Sequence, residues 1–341
     1  MSHFVVPNHI VVGKGVLNEA APLLKEMGRK AFIVTGRHIA VSDMMKKLTA
    51  LLDEEGIGYV IFNGITGEPD DVMINNGVKM LKESDCDFII GIGGGSPLDS
   101  AKAIAAMAVN DGSIADFSGK EITGEILPLA AIPTTAGTGS EATKFTVITD
   151  SKKQIKMLLK GDVLVPKLAI VDSEFTVDAP KSVTAATGLD ALTHAVEAYT
   201  SKKAFSMTDT LAVSAVRIMK YLPIAYKEPD NAEAREQMSI AALEVGICIN
   251  NSIVTIVHGM SRPIGAFFHV PHGMSNAMLL KECLSFAVSG AYEKFANLGR
   301  ATGIADNDDS DSAAAEKFID SLQNICDVCE IPTLEKYGID R

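Results

Sequence analysis

Apolar residues are arranged differently in the two halves of the chain. In the first half they form short continuous runs that do not alternate with polar residues, such as AFIVTG (31–36), DFIIGIG (87–93) and LAIVDS (168–173). Strands of this kind are buried on both faces. Segments with helical periodicity separate them, and the alternation predicts a parallel α/β sheet. Residues 4–12 predict two short strands around Pro7 and Asn8.

From about Pro180 onward the apolar positions recur with a period of 3.6 residues, which predicts a predominantly helical second domain. We therefore expect two domains, an α/β domain over residues 1–178 and a helical domain over 179–341. The predicted helices cover residues 182–200, 206–221, 231–250, 252–264, 274–302 and 311–327.

Two glycine-rich turns follow buried strands in the first half. In GGGSPLDSAKAIA (93–105), glycines let backbone amides approach a ligand, and we expect Ser96 to cap a helix with Pro97 at its first position. A helix N-terminus placed in this way binds pyrophosphate. The second turn lies in LPLAAIPTTAGTGSE (127–141). One such turn is often only a structural tight turn, but two turns that both follow buried strands favour a shared nucleotide ligand. The lysines at 152, 153 and 156 follow the second turn, and we expect one of them to contact a phosphate of this ligand.

The second half contains a set of residues typical of a metal site. Asp190 and His194 are spaced i, i+4 in GLDALTHAVEAY (188–199), so they lie on one face of a helix. His258 and His272 belong to VHGMSRPIGAFFHVPHG (257–273). A single histidine in an apolar helix is more often a core residue, but this set of carboxylate and imidazole suits Fe²⁺ or Zn²⁺. His269 ranks below His272 by local pattern and remains an alternative.

Charge and composition exclude some classes of partner. The 341 residues carry a net charge of −12 without a basic cluster, which disfavours a nucleic acid or an anionic membrane. The N-terminus has no signal-peptide pattern, and no uncharged apolar run reaches the roughly 18 residues of a membrane span. We therefore expect a cytoplasmic protein.

The motifs GGGSPLDSAKA, PTTAGTGSE, GLDALTHAVEAY and HGMSRPIGAFFHVPHG, taken together and in this order, resemble the iron-containing (group III) alcohol dehydrogenase family. The resemblance implies a dehydroquinate synthase-like fold, in which an N-terminal α/β domain binds NAD or NADP and an all-α domain holds Fe²⁺ or Zn²⁺. It also implies a homodimer or a higher homo-oligomer.

The family pattern implies a role for each matching position. The metal ligands fall on Asp190, His194, His258 and His272, which decides against His269. Phe145, Ile249 and Arg262 fall at positions near the substrate. The implied contacts to the coenzyme are Gly94, Gly95, Ser96, Asp99, Thr134, Thr135, Thr138 and Lys156.

The chain departs from the family pattern at three places. Arg262 replaces a histidine that is often proposed to relay a proton, and an arginine binds anions instead. Gly36, followed by Arg37, replaces the aspartate that NAD-preferring members use for the ribose, which favours NADP or dual use. The chain ends at Arg341, earlier than family members usually do, so we expect a short or truncated helical domain.

These observations predict a metal-dependent, NAD(P)-linked alcohol dehydrogenase or aldehyde reductase that acts on small primary alcohols or aldehydes. Two alternatives remain. One is a polyol oxidoreductase similar to glycerol dehydrogenase, and the other is a non-catalytic nucleotide-binding protein of the same fold.

Overall fold

The computed structural model of the chain describes residues 3–339, with Ala266 described by its backbone alone. The chain forms two compact units. The first consists of the residues through Thr135 together with Ser140–Thr176, and the second consists of Ala136–Gly139 and the residues from Val177 onward.

The first unit is built on a sheet of six parallel strands in the order β1-β8-β5-β4-β2-β3, and a separate antiparallel hairpin pairs β6 with β7. The predicted parallel α/β sheet is therefore confirmed. The strands among the described residues are β1 (His9–Gly13), β2 (Lys30–Gly36), β3 (Gly58–Ile65), β4 (Phe88–Gly93), β5 (Leu129–Pro133), β6 (Phe145–Asp150), β7 (Ile155–Lys160) and β8 (Leu168–Asp172).

Helices cover both faces of this sheet, which explains why its central strands are apolar throughout. Along β2, Ala31 and Ile33 belong to one buried cluster, while Phe32 and Val34 belong to another. Alternate side chains of a strand point to opposite faces, so each face has its own core. The helices of this unit are α1 (Ala21–Met27), α2 (Arg37–Ala40), α3 (Asp43–Glu54), α4 (Asp71–Lys82) and α5 (Gly95–Met107).

The second unit is helical among its described residues and has one hydrophobic core. Its longest helices, α6 and α9, are buried along most of their length because small and apolar residues face neighbours on several sides. The helices are α6 (Lys181–Thr200), α7 (Ser206–Ala215), α8 (Ile218–Lys227), α9 (Ala232–Asn251), α10 (Ile256–Phe268), α11 (His272–Ala287), α12 (Tyr292–Ala301) and α13 (Asp311–Val328).

Three predicted elements are interrupted or absent in the structure. The helix expected over 206–221 is broken between α7 and α8, where the guanidinium of Arg217 donates to the carbonyl of Ser214 at 2.6 Å. The helix expected over 274–302 is interrupted by a 3₁₀ turn at Val288–Gly290. Residues 4–6 do not form a strand, and Pro7, which has no N–H to donate to a ladder, separates them from β1.

Length and apolarity together single out no individual helix of the described part of the chain as able to cross a membrane. The two helical segments Ala232–Asn251 and Ile256–Gly265 are long and apolar enough only when taken together, and the chain bends by 99° between them.

Candidate functional site

The two glycine-rich turns lie side by side in the first unit because β4 and β5 are neighbours in the sheet. The backbone N–H of Thr134 donates to the carbonyl of Gly93 at 2.9 Å. A Cβ atom added at Gly94 would lie 3.5 Å from the side chain of Thr135. Both turns are thus at the carboxyl edge of the sheet, where nucleotides bind in open parallel sheets.

The capping expected at α5 was wrong. The helix begins at Gly95 and its N-cap is Gly94, which has no side chain and therefore makes no side-chain capping hydrogen bond. The carbonyl of Gly94 already accepts the N–H of Leu98 at 3.3 Å, so the helix starts before Ser96 and includes Pro97 in its first turn. As a result, the first backbone amides of α5 have no side-chain cap, which suits an anionic ligand.

The carboxylate of Asp99 contacts the protein's own polar groups. It accepts the hydroxyl of Ser140 at 2.7 Å and the backbone N–H of Val147 at 2.8 Å. The buried ammonium of Lys102 donates to the same Ser140 hydroxyl at 2.9 Å and to the carbonyls of Thr143 and Phe145, both at 2.8 Å. Burial lowers the pKa of Lys102 to about 8, although Asp99 and Glu141 oppose the shift. Asp99 and Lys102 therefore fix α5 to the segment that follows the second turn.

The other positions implied for the coenzyme are dispersed. Gly36 ends β2 with φ −91° and ψ 164°, and Arg37 is exposed at the start of α2. Lys156 lies on β7, where its ammonium pairs with the carboxylate of Glu68 at 2.7 Å. Thr138 belongs to the short segment Ala136–Gly139 that groups with the second unit.

The three positions implied for the substrate differ in exposure. Phe145 is half-buried at the start of β6, and Ile249 is buried on α9. Arg262 is exposed on α10, one turn after His258. It makes no hydrogen bond or ion pair with any residue in the range 3–339.

Three helices of the second unit bring the predicted metal ligands together. Asp190 and His194 come from α6, His258 from α10, and His272 is the first residue of α11. The Nε2 atoms of His258, His272 and His194 lie 3.6, 3.7 and 4.0 Å from Oδ1 of Asp190. The side chain of His272 is 44% exposed and the others are buried, so the cluster is open on the side of His272.

A glycine allows α11 to approach α6 closely enough for these contacts. A Cβ atom at Gly273 would lie 2.4 Å from the carbonyl oxygen of Ala186 and 3.4 Å from the Cβ of Asp190. The first is far below van der Waals contact, so a side chain at this position would push the two helices apart. Gly273 therefore accounts for how His272, its neighbour in sequence, reaches Asp190.

Glu197 orients one of the histidines. Its Oε2 lies 2.6 Å from Nδ1 of His258, while Oε1 accepts the hydroxyl of Thr255 at 2.9 Å and the N–H of Val257 at 2.6 Å. Because Nδ1 is held by Glu197, Nε2 is the ring nitrogen that faces Asp190, and it is the one available to a metal ion when the ring is neutral. The sequence assigns no role to Glu197, whose only signal is its position three residues after His194 in GLDALTHAVEAY.

The electrostatics of the cluster favour a cation. Burial would raise the pKa of Asp190, but the three histidines hold it well below its usual range. Burial lowers the pKa of His194 to about 4, so its ring is neutral. For His258, burial is outweighed by Asp190 and Glu197, which raise its pKa to about 9. A proton and a metal ion therefore compete for the same site.

The residues present fit a divalent metal ion. Donor atoms of Asp190, His194 and His258 all lie within 4.8 Å of one another, and the three residues are buried. The Nδ1 atom of His194 is buried and has no hydrogen-bond partner among the described residues. Imidazole nitrogen and carboxylate oxygen are the donor set of Fe²⁺ and Zn²⁺ sites.

Asn276 is a second residue that sequence reasoning missed. It is fully buried on α11, and its amide nitrogen lies 2.7 Å from Oδ1 of Asp190. The available signal was its spacing of four residues from His272. By contrast, His269 is exposed at the end of α10 with φ 55°, and it does not belong to the cluster.

The chain belongs to the iron-containing alcohol dehydrogenase family. The model of the iron-containing alcohol dehydrogenases matches residues 7–173, and that of the C-terminal domain of the Fe-containing alcohol dehydrogenase family matches residues 184–341. The resemblance inferred from the motifs is thereby confirmed.

Individual relatives agree with this assignment. The NAD-dependent methanol dehydrogenase of Bacillus methanolicus is 36% identical over 326 residues, which cover 95% of this chain and 86% of that protein. A crystal structure of 1,3-propanediol oxidoreductase is 34% identical, with a TM-score of 0.97 over 100% of this chain and 90% of that one. The sulfoacetaldehyde reductase of Bifidobacterium kashiwanohense, whose crystal structure was solved with NAD⁺, is 30% identical. Its TM-score is 0.91, and the match covers 100% of this chain and 89% of that one. The predicted fold class is confirmed.

Proposed function

We propose that the protein is a metal-dependent, NAD(P)-linked alcohol dehydrogenase or aldehyde reductase that acts on small primary alcohols or aldehydes. The observation that carries the proposal is the cluster of Asp190, His194 and His258, whose donor atoms lie within 4.8 Å of one another in a chain of this family. We assign residues 1–178 to coenzyme binding and residues 179–341 to metal binding.

In this proposal the metal ion is Fe²⁺ or Zn²⁺, and it supplies Lewis-acid chemistry when bound. Asp190, His194, His258 and His272 bind it, and Glu197 holds the ring of His258 in the orientation and tautomer that binding requires. Support comes from the 2.6 Å contact between Glu197 and His258 and from the burial of both side chains.

The coenzyme binds through the two glycine-rich turns. Backbone amides of Gly94, Gly95 and Ser96 hold the pyrophosphate, and Thr134 and Thr135 line the adjacent turn. Asp99 positions the turn through Ser140 and Val147. Thr138 and Lys156 complete the set of coenzyme contacts, for which Lys156 must exchange its pairing with Glu68 for a phosphate.

The coenzyme is NAD or NADP. Two relatives are named for NAD or solved with NAD⁺. Gly36 and Arg37 favour acceptance of NADP as well, because no carboxylate at position 36 repels a 2′-phosphate and the exposed Arg37 can pair with one.

The substrate is bound by Phe145, Ile249 and Arg262. The guanidinium of Arg262 has no carboxylate partner in the described chain and lies one helical turn from His258. We expect it to bind an anionic group on the substrate. One solved neighbour is named for sulfoacetaldehyde, an aldehyde that carries a sulfonate group. In an Arg262→Gln variant, KM for an anionic aldehyde should rise and KM for a neutral aldehyde of equal length should not.

A single assay tests the function. Absorbance at 340 nm is followed with a panel of small aldehydes, with NADH or NADPH, and with added Fe²⁺ or Zn²⁺. Oxidation of NADH or NADPH that depends on both an aldehyde and the added metal ion supports the proposal. A preference for glycerol in the reverse direction favours the polyol oxidoreductase, and nucleotide binding without turnover under every combination favours the non-catalytic protein.

The metal assignment has its own test. Asp190→Ala should remove both the bound metal, measured by elemental analysis, and turnover, because it deletes the only carboxylate of the cluster. An Asp190→Ala variant with full metal content and full turnover would contradict the assignment.

We also propose that the protein works in the cytoplasm as a homodimer or a higher homo-oligomer. The family resemblance supports this proposal, and light scattering of the purified protein together with cell fractionation tests it.

A further inference from the structure

The side-chain amide of Asn276 lies among the atoms that are proposed to bind the metal ion. Its nitrogen is 2.7 Å from Oδ1 of Asp190, 3.1 Å from Nε2 of His258 and 3.3 Å from Nε2 of His272. Asn276 is completely buried, and its Oδ1 has no hydrogen-bond partner among residues 3–339. The amide thus directs its only donor group at the ligand atoms and leaves its acceptor without a partner.

The orientation of this amide follows from its neighbours. If Oδ1 occupied the position of the nitrogen, it would face Oδ1 of Asp190 at 2.7 Å, and an amide oxygen and a carboxylate oxygen repel each other because both are acceptors. The N–H donor is therefore the group that belongs there. Leaving Oδ1 buried without a partner costs free energy, and the hydrogen bond to a charged acceptor offsets this cost.

We propose that Asn276 is a positioning residue that substitutes for the metal ion. In the metal-free protein its N–H groups stabilise the ligand atoms in the arrangement that the ion requires, and they compete with the ion for the same atoms. The inference rests on the proposed function, since it takes Asp190, His258 and His272 to be metal ligands.

This role distinguishes Asn276 from a fifth ligand and from an ordinary core residue. A competing donor makes metal binding weaker than it would otherwise be, because the ion must replace a hydrogen bond to a buried carboxylate. A fifth ligand would make binding stronger. An ordinary core residue would stabilise the metal-free and metal-loaded forms equally.

The experiment compares wild type with Asn276→Ala and Asn276→Leu, using Zn²⁺ as the probe. Affinity is measured by competition with a chromophoric chelator, and thermal midpoints are measured with and without Zn²⁺. We expect Zn²⁺ affinity to increase on the order of 10-fold in both variants. The metal-free midpoint should fall further than the Zn²⁺-loaded one, because only the metal-free form loses the donor.

Leu280→Ala is the matched control. Leu280 is fully buried on α11, one turn beyond Asn276, and belongs to the hydrophobic core rather than to the cluster. Its truncation should lower both thermal midpoints by similar amounts and leave Zn²⁺ affinity unchanged. If a variant of Asn276 can be isolated only with metal, the rate of Zn²⁺ release to excess chelator replaces the equilibrium measurement, and slower release than in wild type is expected.

The outcomes separate this inference from the proposed function. If wild type binds neither Zn²⁺ nor Fe²⁺, the metal site of the proposed function is wrong. If wild type binds Zn²⁺ and the Asn276 variants bind it equally or more weakly, or release it equally or faster, the proposed function stands and the role of Asn276 is overturned.

Discussion

Nδ1 of His258 lies 2.6 Å from Oε2 of Glu197, and both side chains are almost completely buried. The carboxylate cannot turn freely, because its other oxygen accepts the hydroxyl of Thr255 and the N–H of Val257. Glu197 therefore joins α6 to the start of α10 and fixes the ring of His258 before any metal ion arrives. Such a carboxylate behind a histidine ligand commonly determines how tightly a metal site binds.

Glu197→Gln should weaken metal binding on the order of 10- to 100-fold. The amide has one acceptor oxygen where the carboxylate has two, so it cannot accept from His258, Thr255 and Val257 together. The ring of His258 then loses its fixed orientation. Chelator competition with Zn²⁺ measures the affinity.

Glu282→Gln is the control for this change, since Glu282 is exposed on α11. It should leave Zn²⁺ affinity unaltered. Wild-type affinity in Glu197→Gln, with an unaltered circular dichroism spectrum, would show that Glu197 does not orient the ligand.

The sequence indicated the fold class and four proposed ligands, but not how the ligands are supported. The i, i+4 spacing of Asp190 and His194 is a local property of one helix and is visible in the sequence. Glu197 contacts His258 across 61 positions of sequence, and Asn276 contacts Asp190 across 86. Those contacts depend on how α6, α10 and α11 pack, which local patterns do not encode.

The same distinction applies to the fold. Strands that are buried on both faces are apolar throughout, so each could be predicted from its own residues. The order of the strands in the sheet depends on long-range pairing and could not. The break between α7 and α8 was missed because it involves a side-chain bond from Arg217 to the carbonyl of Ser214. The start of α5 was misplaced because Gly94 serves as N-cap without a side-chain signal.

Lys102→Met should weaken coenzyme binding and destabilise the first unit. The ammonium of Lys102 connects α5 to Ser140, Thr143 and Phe145. Its removal leaves the buried carbonyl of Thr143 without this donor, a type of loss that typically costs about 1–3 kcal/mol. It also removes the positive charge that acts on Asp99. Isothermal titration with NADH gives the affinity, and the thermal midpoint gives the change in stability.

A double variant tests whether the loss at Lys102 arises from the buried charge. Asp99→Asn removes the charge that Lys102 balances, so Lys102→Met combined with Asp99→Asn should recover part of the stability lost in Lys102→Met alone. If the two effects simply add, the charges do not interact through Ser140.

Gly36→Asp should shift the coenzyme preference towards NADH. The backbone of Gly36 is extended, with φ −91° and ψ 164°, so an L-residue is allowed there. A Cβ atom would lie 3.2 Å from the carbonyl of Ile65, which requires an adjustment of a few tenths of an ångström. The new carboxylate can accept ribose hydroxyls and repels a 2′-phosphate. The ratio of kcat/KM for NADH and NADPH should rise on the order of 10-fold.

Gly36→Asn controls for size without charge, and its ratio should change much less than that of Gly36→Asp. An unchanged ratio in Gly36→Asp, in a protein that still binds NADH, would mean that position 36 does not face the ribose.

Glu141→Gln should change how stability depends on pH. Glu141 is buried beside the second glycine-rich turn, and burial raises its pKa to about 7 although its own backbone N–H and Lys102 oppose the shift. A carboxyl whose pKa is higher in the folded state than in the unfolded state stabilises the fold fully below pH 4.5. That stabilisation is lost as the pH rises to 7. The glutamine has no proton to lose, so wild type should lose about 3 kcal/mol relative to Glu141→Gln across this window.

Thermal midpoints of wild type and variant at half-unit steps from pH 4.5 to 8 measure this difference. Glu125→Gln makes the same chemical change at an exposed position of the first unit, and its midpoints should follow those of wild type at every pH. The thermal midpoint of Glu141→Gln should rise relative to that of wild type between pH 4.5 and 7. The difference between the two midpoints should then stay constant, because above pH 7 the carboxyl is ionised in both the folded and the unfolded state. A constant difference over the whole range would mean that Glu141 is ionised in the folded protein and that Lys102 balances its charge.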